Sequence, residues 1–197
     1  MKKKYIIIPI IALLLAIGWS WRYITMNAYY DSFVNQEKVI FKVGEKVPFE
    51  EDLYNKKSLN GYSIQVNRFE VQDFYTYAES IGFVMDDHYY PGEKVALLSI
   101  TLFNDNSDAE GVMLTDYNLY GVDQIINMDW DLLIAANPIL EGNYGITLLP
   151  GTECNLVLPY KMQKEFFGSW TWNHFDDYDL FLKLTSYPTE KLIRVQQ

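Results

Sequence analysis

Histidine, cysteine and clustered carboxylates are the side chains able to bind metals or move protons, and this chain places them sparsely. Its only two histidines lie beside aspartates, His88 with Asp86 and Asp87 in MDDHYY, and His174 with Asp176, Asp177 and Asp179 in NHFDDYDL. A metal centre needs three or more converging ligands. Two pairs this far apart do not supply them, so both read as surface loops between strands. Cys154 is the single cysteine, which excludes an intrachain disulfide. In TECNLVL it shares a strand face with Leu156 and Leu158, the position of a buried small hydrophobe and not of an exposed thiolate.

The stretch NDNSDAEG sets Asn104, Asn106 and Asp108 at alternate positions, like the start of a calcium-binding helix-loop-helix loop. Ala109 then stands where the turn glycine belongs, and Thr115 where the bidentate glutamate belongs. Asn, Asp, Ser and Gly equally serve a tight connection. Asn104 to Glu110 is therefore expected to be a solvated hairpin tip, with weak calcium binding as the lesser alternative. LPGTE, Leu149 to Glu153, resembles the LPxTG sorting signal, but Glu153 replaces the final glycine and no apolar stretch with a basic tail follows. No P-loop, glycine-rich dinucleotide turn, HExxH or serine elbow occurs. The sequence thus predicts no enzyme, no catalytic residue, no metal ligand and no cofactor, and it leaves the binding residues undefined. The tyrosines together with Trp130, Trp170 and Trp172 are suited to stack on sugars, although aromatics are also common packing units in strands.

The elements that would carry these residues have a period of two. KVIFKV alternates Val39, Phe41 and Val43 on one face, and YSIQVNRFEV alternates Ile64 and Val66 until Phe69 and Val71 take over the apolar positions, a phase change that marks a bulge near Arg68. KVALLSITLFN, Lys94 to Asn104, has one wholly apolar face of Ala96, Leu98, Ile100 and Leu102 and reads as a central strand, with VMLTDYNLYGV as its hairpin partner. GITLL, ECNLVLPYKM, DLFLKLTSY and KLIRV follow as further strands. TYAESIG is the one short stretch with helical character, and NMDWDLLIAANP stays unassigned, with a short helix before Asn137 and Pro138 as one option. About eight strand-like runs separated by turns predict an all-β, antiparallel sandwich.

At the amino terminus, Lys2, Lys3 and Lys4 precede the uncharged run YIIIPIIALLLAIGWSW, and Arg22 follows it. A helix of that run covers roughly 25 Å, close to the hydrocarbon core of about 30 Å, and Trp19 and Trp21 suit the interface. A signal peptide cut after Gly18 is the competing reading. The aromatic continuation through Tyr23 favours a retained anchor, and the three leading lysines orient its start toward the cytoplasm. The expected division is a cytoplasmic end at 1–4, a transmembrane signal-anchor helix at 5–24, a stalk at 25–36 and an extracellular domain at 37–197. All 26 acidic residues lie at or beyond Asp31, while four of the 16 Lys and Arg end at Arg22, leaving 12 against 26 and a net charge of −14 for the rest. A body so acidic repels phosphate backbones, so nucleic acid is not an expected partner.

The succession GYSIQV, YPGEKVALLSITLFNDNSDAEG, NPIL, ITLLPGTECNLVLPYKM, a tryptophan near 170 and LFLKLTSYPTEKLIRV resembles a family of uncharacterised, membrane-anchored ectodomains from low-GC Gram-positive bacteria. The resemblance runs from about Phe41 to Val195. It implies an immunoglobulin-like sandwich outside the membrane and carries no established activity. The functional expectation is a single-pass, non-enzymatic surface module that contacts another surface or membrane protein. A small-ligand or glycan binder using exposed aromatic residues is the alternative.

Overall fold

The structure, a computed structural model, describes residues 4–34, 37–50, 59–106, 111–121 and 124–196, with side chains described from residue 12 onward except over 28–36. It divides into two units, residues 1–37 and 38–197.

The first unit is one helix, α1 (Lys4–Val34). Between Ala12 and Ile24 its side chains point into solvent, among them Leu13, Leu14, Leu15, Ile17, Trp19 and Trp21. Trp19 stacks on Tyr23 one turn later at 5.4 Å. Among the described residues, no helix is long and apolar enough to cross a membrane. The transmembrane helix expected at 5–24 is therefore not supported. Residues 5–11, which hold five isoleucines, lie outside the described side chains. The remainder, 12–24, covers only about 20 Å at ~1.5 Å per residue and includes Arg22.

The second unit is mostly β. One sheet has four strands, in the order β2 (Lys46–Pro48), β3 (Tyr62–Asp73), β4 (Lys94–Asn104) and β9 (Thr152–Met162). A second has five, in the order β1 (Glu37–Lys42), β11 (Thr189–Gln196), β10 (Leu180–Thr185), β6 (Leu119–Tyr120) and β7 (Ile125–Ile126). A two-stranded ribbon joins β5 (Val112–Met113) to β8 (Gly145–Ile146). The registered pairs are antiparallel and, among the described residues, no sheet closes into a barrel. This is the arrangement of a β-sandwich: Ile64, Leu98, Ile100 and Leu158 of the four-stranded sheet share one core with Leu119, Leu182, Ile193 and Val195 of the other.

β4 is central, as its apolar face predicts, with β3 and β9 on its two sides. The phase change in β3 is a bulge. Val66 pairs with Ile100 and Arg68 with Ser99, so Asn67 is the extra residue. Adding one residue inverts the alternation, which keeps Phe69 and Val71 on the core side after Ile64 and Val66. The displaced Asn67 donates to Thr101 Oγ1 at 2.8 Å, and Thr101 donates in turn to Asn155 Oδ1 at 2.7 Å, a polar rung across three strands.

Part of the outer face of this sheet is also dry. Val95 and Leu97 of β4 pack with Phe74, Tyr77 and Ala78 of α2 (Phe74–Ser80) and with Leu132 of α3 (Trp130–Ala136). Both helices start on aspartate caps: Asp73 accepts from Thr76 N at 2.9 Å and Asp129 from Leu132 N at 3.0 Å.

The expected hairpin between β4 and VMLTDYNLYGV does not form. β9 supplies eleven successive partners to the open side of β4, whereas Val112–Met113 pairs with β8 and Leu119–Tyr120 joins the other sheet. The partners of β4 and of Val112–Met113 thus lie in different sheets, and residues 107–110, within the expected solvated tip, lie outside the described residues. Asp105, where β4 ends, accepts from Lys46 Nζ at 2.6 Å and from Ser63 Oγ at 2.9 Å. The Lys46 hydrogen bond is the main cause that holds its pKa below the ordinary 3.8. A depressed folded-state pKa contributes stability that is present above 3.8 and lost as pH falls through the folded value. Asp105→Asn should accordingly flatten the acid limb of the stability curve in low salt, measured as urea midpoint against pH. The difference should shrink in high salt, because the pair is exposed.

Candidate functional site

β9 is the outermost strand of its sheet, so its far edge needs other partners for its backbone groups. Asn137, just after α3, supplies the first set: its amide donates to Val157 O at 2.7 Å and its carbonyl accepts from Val157 N at 2.8 Å, as a neighbouring strand would. The same nitrogen donates to Leu133 O at 2.7 Å, tying the end of α3 to the edge. Two residues on, Pro159 has no amide to satisfy, and its carbonyl accepts from Asp129 N at 2.9 Å.

Asp129 is the hub of this corner. Beyond its cap bond, Oδ2 accepts from Tyr89 OH at 2.8 Å and pairs with Lys161 Nζ at 2.9 Å, with only 5% of its side chain exposed. The Lys161 ammonium also lies 4.4 Å from the centre of the Tyr89 ring. Burial first, then the hydrogen bond to Asp129 and the charges of Asp129 and Asp131, hold the Tyr89 phenol far above its ordinary range. The phenol is thus a fixed donor and not a base, the carboxylate is fully occupied, and the trio acts as a rigid floor.

Above that floor an open groove of about 650 Å³ runs between the margins of the two sheets, bounded by Ile125 and Asn127 on one side and Lys161, Gln163 and Phe166 on the other. Ile125, Trp130 and Phe166 rise around it with 58%, 54% and 70% of their surface exposed. Trp130 also meets Tyr144 at 5.5 Å. Tyr144, with Met113 and Ile139, bounds a second open hollow of about 880 Å³. The exposed Phe166, Ile125 and Trp130 of the first hollow meet the exposed Tyr144, Ile139 and Met113 of the second through the Trp130–Tyr144 contact and form an apolar band. Such a band is unusual on a surface with no partner, and the groove falls in the size range of ligand sites.

The residues singled out in the sequence do not converge here. His88 is exposed, and its backbone amide donates to Asp86 Oδ1 at 2.8 Å. His174 lies 2.9 Å from Trp170 O through Nδ1 and stacks on the Trp170 ring at 4.4 Å. Among the described residues, no group of three or more His, Cys, Asp and Glu is placed to hold a metal ion. Cys154 is buried in the core with Leu156 and Leu158, and burial raises its thiol pKa. Asn104 is buried and donates to Leu148 O at 2.7 Å, a structural role. Asp108, Ala109 and Glu110 lie outside the described residues. In LPGTE the exposed Leu149 leads a turn with Gly151 at φ +77° and Gly151 N donating to Asn104 O at 2.7 Å. Of the tryptophans, Trp172 packs against the core beside Phe167, Trp170 stacks on His174, and Trp130 alone borders the groove.

Asp129, Lys161 and Phe166 were not legible as a set because more than thirty residues separate the first from the others. The available signal was Trp130 set between Asp129 and Asp131, a large apolar side chain where the charge pattern demands exposure.

No curated protein matches the chain. Among solved structures, it is similar to the yjhA protein from Bacillus subtilis, at 15% identity over 78% of this chain and 98% of that one, with a TM-score of 0.45. The model of a domain of unknown function, DUF5028, matches residues 38–191, the whole β-rich unit apart from its last few residues. The chain belongs to the DUF5028 family.

Proposed function

We propose that this chain is a membrane-anchored, extracellular module of immunoglobulin-like type that works by contacting another surface or membrane protein and has no catalytic role. The observation that carries the reading is the exposed apolar band through Ile125, Trp130 and Tyr144, centred on a tryptophan and braced by the buried Asp129–Lys161 pair. Aromatic anchors on a rigid support are what concentrate binding energy at protein interfaces. The anchor is supported by the uncharged run from Tyr5 to Trp21 and by the solvent-facing Leu13, Leu14, Leu15 and Ile17 of α1, apolar surface that a bilayer would cover. The net charge of −14 beyond Arg22 supports a protein partner over a nucleic acid.

The test is cross-linking of the full-length chain in intact cells, beside a Trp130→Ala variant made at equal abundance. The expected result is one recurrent cross-linked protein that is lost in the variant, corresponding to a weakening of about thirtyfold or more. No specific adduct, or its retention in Trp130→Ala, overturns the reading. Protease added to the same cells should remove the β-rich unit, and its survival overturns the extracellular placement.

A second reading has its own observation. Trp130 and Phe166 flank a floor of Asn127, Lys161 and Gln163, and stacking rings over hydrogen-bonding groups also suit a sugar. A glycan array probed with the full chain separates the two readings.

A further inference from the structure

We infer that the groove receives an extended, basic segment of a partner protein, which adds to β7 as one more antiparallel or parallel strand; this rests on the protein-contact reading above and specifies its mode. β7 is the terminal strand of the five-stranded sheet, so among the described residues no strand covers its outer edge. Which backbone groups face that edge follows from the ladder. Gly121 N donates to Gln124 O at 2.8 Å, which makes residues 121 and 124 a hydrogen-bonded pair. Tyr120 and Ile125 are the next pair and Leu119 and Ile126 the one after. In an antiparallel ladder hydrogen-bonded and non-hydrogen-bonded pairs alternate. Ile126 therefore turns its N–H and C=O to β6, and Ile125 turns its own outward. Lys183 N donating to Asn118 O at 3.5 Å agrees, because it places the even-numbered residues of β6 toward β10.

Outward from Ile125 lies the groove, not bulk solvent alone. An added strand would pair with the outward edge of β7 and lie in the groove, with Trp130 and Phe166 flanking its side chains and the Asp129–Lys161 pair nearby. The far edge of β9 is occupied at Val157 by Asn137 and at Pro159 by Asp129, which interrupts it at its middle. The positive character of the occupant follows from charge. Asp131 is exposed at the rim, Lys161 is neutralised by Asp129, and the chain beyond Arg22 carries 26 acidic against 12 basic residues.

The experiment selects nine-residue peptides from a random displayed library against the full-length chain in detergent micelles, and measures the best binders by calorimetry. Enriched peptides should carry Lys or Arg with apolar residues at alternate positions. Methylating peptide backbone nitrogens one at a time should weaken binding at least tenfold at the one position that pairs with Ile125 and little elsewhere. Ile125→Pro removes an outward amide without touching a bond to β6, so it should weaken the same peptides at least tenfold at an unchanged melting temperature. Failure to enrich peptides, binding indifferent to which nitrogen is methylated, or full affinity in Ile125→Pro each overturns the inference. Binding only to glycans in the array above overturns it as well. Loss of the cellular cross-link in Trp130→Ala together with any of the peptide failures would leave the contact reading standing and remove the strand-addition mode alone.

Discussion

Leu97→Ala should destabilise the chain by about 2–4 kcal/mol, as much as truncating a residue in the centre of the sandwich. Leu97 lies on the face of β4 opposite Leu98, and a sandwich with a solvated outer face would lose less than about 1 kcal/mol there. Here the position is 3% exposed, sealed by Phe74 and Tyr77 of α2 and Leu132 of α3. Alanine would leave a void that two helices anchored by aspartate caps cannot collapse to fill, and the cavity adds to the lost transfer energy. Leu98→Ala, in the core shared by both sheets, is the reference. Urea unfolding of both variants checks the claim, and a Leu97→Ala midpoint within error of the parent would show that the helices do not seal that face.

Asn137→Leu should cost roughly 3 kcal/mol or more, although leucine is close in size and more apolar. The loss comes from what is left behind. Val157 N and Val157 O lose the partners 2.8 and 2.7 Å away, while Leu133 O keeps the backbone bond from residue 137, and each unsatisfied group away from water costs about 1–3 kcal/mol. Asn137 is itself 5% exposed, so water has little access to take over. Hydrogen exchange adds a local readout. The Val157 amide should exchange faster in Asn137→Leu by at least as much as the global loss allows, while amides of β3 track global unfolding only. Protection at Val157 that merely follows the global change would mean that another donor and acceptor replace the amide.

The strands were legible where alternation is strict. Ala96, Leu98, Ile100 and Leu102 announced a central strand, and the switch from Val66 to Phe69 announced a bulge, because a pleated strand offers only two faces and one core. The helix before Asn137 was only one option for NMDWDLLIAANP, because seven residues give too few turns for a helical period to stand out, and its Asp129 cap shows only in the structure. Pairing was not legible either. The hairpin expected after Asn104 failed because β9, fifty residues away, matches β4 over its full length, and sequence proximity carries no information about such a competitor. The groove was illegible for the same reason, being assembled from the margins of two sheets. Of the chemical candidates, Cys154 and Asn104 are buried, His88 is exposed and His174 stacks on Trp170.

Pro159 and Asn137 bear on more than the stability of one corner. An eleven-residue margin strand with every outward amide free would template the growth of fibres when many copies stand side by side. A ring that cannot donate and a side-chain amide that imitates a neighbour remove that template at its middle. Crowded copies of this chain can therefore remain separate molecules without a charged residue placed at those two sites.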